Sequence, residues 1–127
     1  MNQESIQILN QLNEQHEAAN EQLKIVEQQI TEIDTFDNEL IVLKNQKDGE
    51  IIAPLGKSVF AKMKLRENEK FFVEVGAGIF VRKDIDETIS VAKEQKEKLE
   101  SFREQLTQEV AFITAQLEEI IKKHRGI

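Results

Sequence analysis

The sequence contains no cysteine, no tryptophan and no tyrosine, and only one proline in 127 residues. Without cysteine there is no disulfide, no thiolate metal ligand and no cysteine nucleophile. No apolar run approaches the roughly 18 residues that a membrane-spanning helix requires. The first residues also lack the basic start and apolar core of a secretory signal. These absences predict a cytoplasmic protein that does not contact membranes.

Charged residues are abundant but unevenly distributed. Residues 1–47 carry 3 basic and 9 acidic groups, a net charge of −6. Residues 84–127 carry 7 basic and 10 acidic groups, a net charge of −3, whereas residues 48–83 have a net charge of +2. The two acidic segments would repel a phosphate backbone, so nucleic acid is not an expected partner.

Residues 1–48 are predicted to form one long helix of a coiled coil. Apolar residues recur at alternating steps of three and four, which is the spacing of the a and d positions of a heptad repeat. The a positions are Leu9, His16, Leu23, Ile30 and Asp37, and the d positions are Leu12, Ala19, Val26, Ile33 and Leu40. We expect Gly49 to cap this helix in a left-handed conformation. At about 1.5 Å per residue the helix would be roughly 65–70 Å long, so it must project from any compact domain.

Residues 84–127 are predicted to form the second helix. Asp84 is a suitable N-cap, and Glu87 lies three residues later as its capping-box partner. The d positions are Ile85, Ala92, Leu99, Leu106, Ile113, Ile120 and Ile127, and the a positions are Ile89, Lys96, Arg103, Val110, Leu117 and His124. An antiparallel register in which paired residue numbers sum to 129 leaves no long overhang. It brings both ends of the chain to the same tip of the coiled coil.

Residues 49–83 are β-patterned and predict two hairpins, with strands at residues 50–53, 59–66, 71–75 and 79–81. Pro54 is expected at a strand end or on a sheet edge, because it has no N–H to donate. The second strand is expected to be half-buried through Val59, Ala61, Met63 and Leu65. Residues 76–78, Gly-Ala-Gly, predict a hairpin turn rather than a phosphate loop, since the third glycine of a dinucleotide fingerprint is replaced by Val81.

A sheet of four short strands has too small a core to bury its own large apolar side chains. We therefore expect another subunit to complete it, through edge pairing or by closing a barrel. The residues expected at this oligomer interface are Val59, Phe60, Phe71, Val73, Val75, Ile79 and Phe80.

Two motifs between the heptad helices resemble prefoldin, in particular its alpha-type subunit from archaea. The first is Pro54-Leu55-Gly56 followed by a strand, and the second is VEVGAGIFV at residues 73–81, followed by a helix. The resemblance covers essentially the whole chain. Beta-type prefoldin subunits have a single hairpin and lack the Gly-Ala-Gly turn, which favours the alpha type.

The resemblance implies an α+β fold, with a long antiparallel two-helix coiled coil joined by two β-hairpins that form an oligomeric β-barrel platform. It implies a hexamer of two alpha and four beta subunits, acting as an ATP-independent holding chaperone. Such a chaperone binds non-native polypeptides and passes them to a group II chaperonin. No catalytic residue, cofactor or metal is implied. The client-binding tip is expected at Ile6, Ile8, Leu9, Leu12, Leu117, Ile120 and Ile121.

Three alternatives remain open from the sequence. Apolar residues near the free ends of the helices are also typical of fraying helix ends, because scattered exposed apolar residues are common. A gamma-type prefoldin, which forms filaments, has the same topology. A coiled-coil scaffold without chaperone activity needs the same helices but no apolar tip. An enzyme is disfavoured, since no nucleophile–base set or phosphate loop is present.

Overall fold

The structure is a computed structural model that describes residues 2–46, 49–66 and 68–125. Its elements are, in order, α1 Gln3–Asn45, β1 Glu50–Gly56, β2 Val59–Lys64, β3 Phe71–Gly76, β4 Ile79–Lys83 and α2 Ile85–Arg125. The predicted fold of two long helices joined by two β-hairpins is confirmed. Within the described ranges, no helix is both long enough and apolar enough to cross a membrane.

The chain forms two compact units. The two-helix unit comprises Met1–Glu32 and Glu97–Ile127, and the hairpin unit comprises Ile33–Lys96. Each unit therefore contains parts of both helices. The sequence-based division into residues 1–48, 49–83 and 84–127 stays a prediction, and two residues at its first boundary, Lys47 and Asp48, lie outside the described residues.

The two-helix unit is held together by an apolar seam between antiparallel helices. Val26, Ile30 and Leu106 form a buried cluster, and Leu23 and Leu99 pack against it. The expected register places Leu23 opposite Leu106 and Ile30 opposite Leu99, and all four residues belong to this one cluster. The heptad pattern thus predicts correctly that these four side chains pack together in the seam.

The hairpin unit contains a second seam cluster, formed by Leu40, Ile89 and Ala92 with Ile33 and Ile85 packed against it. Two ion pairs connect its helical segments. The Lys96 ammonium lies 2.7 Å from the Asp34 carboxylate, and the Lys44 ammonium lies 2.6 Å from the Asp86 carboxylate. Because each residue of these pairs is at least one-third exposed, we expect their contribution to stability to be small.

Every a and d position in the described part of the chain is buried or half-buried. Asp37 is one of the polar a positions. It is half-buried, and its Oδ1 atom has no hydrogen-bond partner among the described residues. The other polar a position of α1, His16, shares a hydrogen bond of 3.2 Å between its Nδ1 atom and the amide of Asn20. Polar groups at a positions cost stability and favour one register over others.

The strands form two separate antiparallel hairpins, β1 with β2 and β3 with β4. β1 extends to Gly56, beyond the predicted end at Ala53, because Pro54 pairs with Phe60 inside the ladder. A proline is tolerated there because both strands of a two-stranded sheet are edges. The predicted end of the strand at Ala53 was wrong, whereas the sheet edge, one of the two positions expected for Pro54, is confirmed.

Gly49 has the expected positive φ of +62°, but it does not cap α1. The helix ends at Asn45, and Gly49 lies at the base of the first hairpin. There its carbonyl oxygen accepts a hydrogen bond of 2.6 Å from the N–H of Leu65. A Cβ atom at Gly49 would lie 2.5 Å from the Leu65 carbonyl oxygen. Backbone conformation and close packing therefore both require glycine at this position.

Candidate functional site

The two hairpins repeat each other at an offset of 20 residues. Gly56 and Gly76 both follow an irregularity in their ladders, where one residue of the first strand has no direct partner. Both turns have positive φ at three successive positions, residues 56–58 and residues 76–78. The chain therefore contains the same bulged hairpin twice, and the Gly-Ala-Gly segment is a hairpin turn as predicted.

The repeat extends to the side chains on one face of each hairpin. Residues opposite one another in an antiparallel pair point to the same face, so Phe60 shares a face with Pro54, and Phe80 shares a face with Glu74. Phe60 is 61% exposed and Phe80 is 59% exposed. Equivalent side chains are thus exposed to the same extent. We call this surface of each hairpin its outer face, formed by Ile52, Pro54, Phe60 and Lys62 in the first hairpin and by Phe72, Glu74, Phe80 and Arg82 in the second.

Basic side chains lie beside these apolar groups at equivalent positions. The Arg82 guanidinium lies 5.6 Å from the centre of the Phe72 ring, a cation–π arrangement. Lys62 is the equivalent residue of the first hairpin, and its ammonium lies 3.5 Å from the Glu50 carboxylate. The outer face of each hairpin therefore combines exposed apolar groups with one basic residue.

The predicted interface residues divide into two groups. Phe71 and Val73 are half-buried within the chain. The other five are exposed: Val59, Phe60, Val75, Ile79 and Phe80. The expectation that Val59 and Met63 are half-buried was wrong, because no second layer among the described residues covers these two side chains. Most of the predicted interface is thus free to contact another chain.

The predicted interface omits several exposed apolar residues of the hairpins. They are Ile52, Leu55, Met63, Phe72 and Val81. Ile52 is 70% exposed, and Phe72 at the equivalent position is 68% exposed. Alignment of residues 52–63 with residues 72–83 would have identified this pair, because that alignment matches both glycines and both exposed phenylalanines.

The start of α2 has a reciprocal cap, as predicted. The N–H of Glu87 donates a hydrogen bond of 2.8 Å to the Asp84 carboxylate, and the N–H of Asp84 donates one of 3.1 Å to the Glu87 carboxylate. The hydrogen bond from the Glu87 N–H is the main cause that lowers the pKa of Asp84 below its ordinary value. Asp84 therefore remains ionised at neutral pH and fixes the point at which the chain passes from β4 into α2.

The tip residues predicted from the sequence lie in the two-helix unit. Leu9, Leu12, Leu117 and Ile120 are half-buried in the seam. Ile6, Ile8 and Ile121 are exposed. Their heptad positions place Ile6 and Ile121 at e, on the same side of the seam, and Ile8 at g, on the other side. The exposed apolar surface of the tip is therefore divided between both sides of the seam.

The described part of the chain has no cluster of three or more histidine, aspartate or glutamate side chains arranged to hold a metal ion. Its notable surfaces are instead the apolar groups of the hairpins and of the helices. Surfaces of this kind bind other polypeptides.

Comparison with known proteins agrees with this description. The prefoldin subunit family model matches residues 12–125. Prefoldin subunit alpha of Methanobrevibacter smithii is 29% identical over 130 aligned positions, which cover 94% of this chain and 89% of that protein. Prefoldin subunit alpha of Thermofilum pendens is 31% identical, over 71% of this chain and 73% of that protein.

A solved structure has the same fold. The cryo-EM structure of filamentous PFD from Methanocaldococcus jannaschii superposes with a TM-score of 0.75 at 24% identity, over 89% of this chain and 94% of that chain. The family model and the curated relatives together show that this chain belongs to the prefoldin family, as a subunit of the alpha type.

Proposed function

We propose that this chain is a subunit of an ATP-independent holding chaperone, which binds non-native polypeptides through the tip of its coiled coil and delivers them to a group II chaperonin. Prefoldin subunits are chaperones rather than enzymes, and they assemble with other prefoldin subunits. The observation that carries the proposal is the exposure of Ile6, Ile8 and Ile121 beside a seam that is otherwise closed.

The physical mechanism is weak apolar contact repeated over several subunits. Each tip offers only a few exposed isoleucines, so one tip alone holds an unfolded chain weakly. Several tips in one assembly raise the effective concentration of binding surface around the same client. Each contact still breaks quickly, so that the client can be handed on without ATP.

The hairpins are the proposed assembly platform. Their exposed outer faces and unpaired strand edges are suited to association with further hairpins in a β-barrel. We propose beta-type subunits as the partners, in a hexamer of two alpha and four beta subunits. Negative charges placed at Val73 and Val75 are expected to prevent this assembly.

The tip is tested by the triple variant Ile6→Ser, Ile8→Ser and Ile121→Ser. We expect the variant to assemble normally but to suppress the aggregation of a diluted, unfolded client several times less effectively, measured by light scattering. The matched control changes three exposed apolar residues of the hairpin unit, Phe36, Ile41 and Val42, to serine. Both variants are first compared with the parent by native mass.

The proposal about the tip fails if the tip variant holds the client as well as the parent does. It also fails if the control loses as much activity as the tip variant, because any exposed apolar side chain would then serve equally. A parent that never suppresses aggregation supports a scaffold without chaperone activity.

A second candidate function is filament formation. It is favoured by the fold shared with a protein described as filamentous PFD, at a TM-score of 0.75. Native mass distinguishes the two candidates. A chain that forms large, polydisperse homo-oligomers without any beta-type subunit favours the filament. A chain that forms one discrete complex only after a beta-type subunit is added favours the hexamer.

The location of the protein in the cytoplasm stays a prediction from the sequence. The proposed partners, a chaperonin and non-native polypeptides, are consistent with that compartment. Fluorescence microscopy of a tagged chain, followed by fractionation, tests it directly.

A further inference from the structure

In the middle of the two-helix unit, over residues 10–30 and 100–118, the two sides of the coiled coil differ in charge. At 100° per residue, the e and b positions of a heptad lie on one side of the seam and the g and c positions lie on the other. In an antiparallel pair, the g positions of both helices lie on the same side. Residues 10–30 and 100–118 therefore present two long flanks of different composition.

The e and b flank is strongly charged. Six of its twelve residues are ionisable, and they are Glu17, Lys24, Glu27, Glu100, Glu104 and Glu118. The g and c flank has eleven residues and a single charged one, Glu109. More than half of the g and c flank is glutamine, at Gln11, Gln15, Gln22, Gln29, Gln105 and Gln116. We call this side the glutamine flank.

The glutamine flank also exposes the largest apolar side chains of the two-helix unit. Phe112 is 64% exposed, and Phe102 and Ile25 are exposed as well. Both phenylalanines of the two-helix unit thus lie on this one side. None of the six glutamine side chains makes a hydrogen bond to another residue within the described ranges, so their donors and acceptors are available to a ligand.

We propose that the glutamine flank binds an extended segment of a non-native polypeptide, lengthwise along the coiled coil. The proposal rests on the chaperone function proposed above and adds a second contact surface beside the tip. Free amide groups can pair with the unpaired backbone groups of such a segment, and the phenylalanines can cover its apolar side chains.

The spacing of the apolar residues favours this ligand over a third helix. A helix packed lengthwise requires apolar contacts every three to four residues. Phe102 and Phe112 are ten residues apart, about 15 Å along the helix. That distance equals about four to five residues of an extended chain, so successive apolar side chains of a client can reach both rings.

The charge distribution disfavours a second copy of this chain as the ligand. Outside the glutamine flank, the helices of a copy carry more acidic than basic side chains, which do not match an uncharged, apolar surface. An uncharged, apolar client segment fits the glutamine flank, and the acidic opposite flank repels acidic segments and keeps the coiled coil soluble.

Photo-cross-linking of the full chain tests the proposal. Benzoylphenylalanine is placed at Gln105 on the glutamine flank or at Glu104, the adjacent residue, on the charged flank. Both positions are exposed. A second pair uses Gln15 and Glu17. The probe is reduced, unfolded lysozyme. We expect about fivefold more cross-linked client from Gln105 than from Glu104, and from Gln15 than from Glu17. One well-placed apolar contact increases affinity by about that factor.

Equal cross-linking from both flanks, while the parent still suppresses lysozyme aggregation, overturns this inference and leaves the proposed function standing. A parent that suppresses no aggregation overturns both. Cross-links between copies of the chain from Gln105, unaffected by added client, also overturn the inference, because the flank is then an interface between subunits.

A pair of charge variants provides an independent test. Gln22→Glu with Gln105→Glu adds two negative charges to the glutamine flank, and Asn13→Asp with Ala111→Glu adds two to the charged flank. We expect only the first variant to require severalfold more protein to hold the same amount of lysozyme. An equal loss in the second variant would show an effect of total charge and contradict the proposal.

Discussion

Apolar side chains are distributed very differently in the helices and in the hairpins. The helices bury theirs at regular intervals in a seam, so that Leu106 is only 3% exposed. The hairpins leave most of theirs in solvent on both strands. A two-helix seam is complete within one chain, because each helix covers the apolar stripe of the other. A single hairpin covers neither of its own faces, and this difference supports the proposal that the helices provide stability and the hairpins provide the assembly surface.

The largest effect is expected from changes that break the assembly surface. The double variant Phe60→Asp with Phe80→Asp places a charge at the same position of both hairpins. We expect complete loss of the oligomer, since a buried unpaired charge costs several kcal/mol. Native mass spectrometry measures the assembly, and circular dichroism should report unchanged helix content.

The control for this variant uses equivalent positions that lie in the turns. Lys57→Asp with Ala77→Asp adds the same residues where the backbone already has positive φ, a conformation that aspartate tolerates. Assembly should survive in this control. If it is lost there as well, charge alone disrupts the oligomer and the outer face is not specifically involved.

The next effect concerns the seam. Leu106→Ala removes a buried side chain from the cluster with Val26 and Ile30, and it should lower the free energy of unfolding by about 2–5 kcal/mol. Ile25→Ala on the same unit removes an exposed side chain and should change it by less than about 1 kcal/mol. Urea denaturation measures both variants. Similar losses in the two would contradict the assignment of stability to the seam.

A smaller effect is expected at the base of the first hairpin. Gly49→Ala is destabilised by the positive φ and by a clash with the Leu65 carbonyl oxygen. Gly78→Ala is destabilised by the positive φ alone, because its Cβ would meet open space. The strain alone is worth about 1–2 kcal/mol. We expect Gly49→Ala to lower the thermal midpoint clearly more than Gly78→Ala does. Equal shifts would show that the close contact at Gly49 relaxes without cost.

The smallest effect is a dependence on pH at the start of α2. Because the pKa of Asp84 is lowered in the folded chain, its contribution is fully present above the ordinary value of 3.8. It is lost as the pH falls through the lowered pKa. Hydrogen exchange of the Glu87 amide should therefore show reduced protection below about pH 4. Asp84→Asn keeps a capping side chain without its charge and should remove this dependence on pH.

The helices were more predictable from the sequence than the hairpins. The heptad position of a residue predicts whether its side chain is buried. Leu23, Ile30, Leu99 and Leu106 lie in one cluster as expected. Alternation of apolar and polar residues along a strand predicts which side chains share a face of the sheet. It does not predict whether another layer of the protein covers that face. Val59 and Met63 were therefore expected to be half-buried, although nothing in the described part of the chain covers them.

Other features depended on information that a local pattern does not contain. The end of α1 at Asn45 was missed because Gly49 offered an obvious cap further along the chain. The need for glycine there arises from Leu65, which lies sixteen residues away and whose approach is visible only in three dimensions. The roles of the tip and interface residues stay predictions, since they depend on other chains.

The duplicated hairpin has a consequence for valency. In the assembly proposed above, each outer face binds one further hairpin, so a subunit with outer faces around Phe60 and around Phe80 would connect two neighbours. A subunit with a single hairpin would contact only one neighbour. Repeated connection of like faces gives a closed ring when the rotation between successive subunits closes, and an open fibre when it does not. A discrete complex and a filament would thus differ in the rotation between successive subunits.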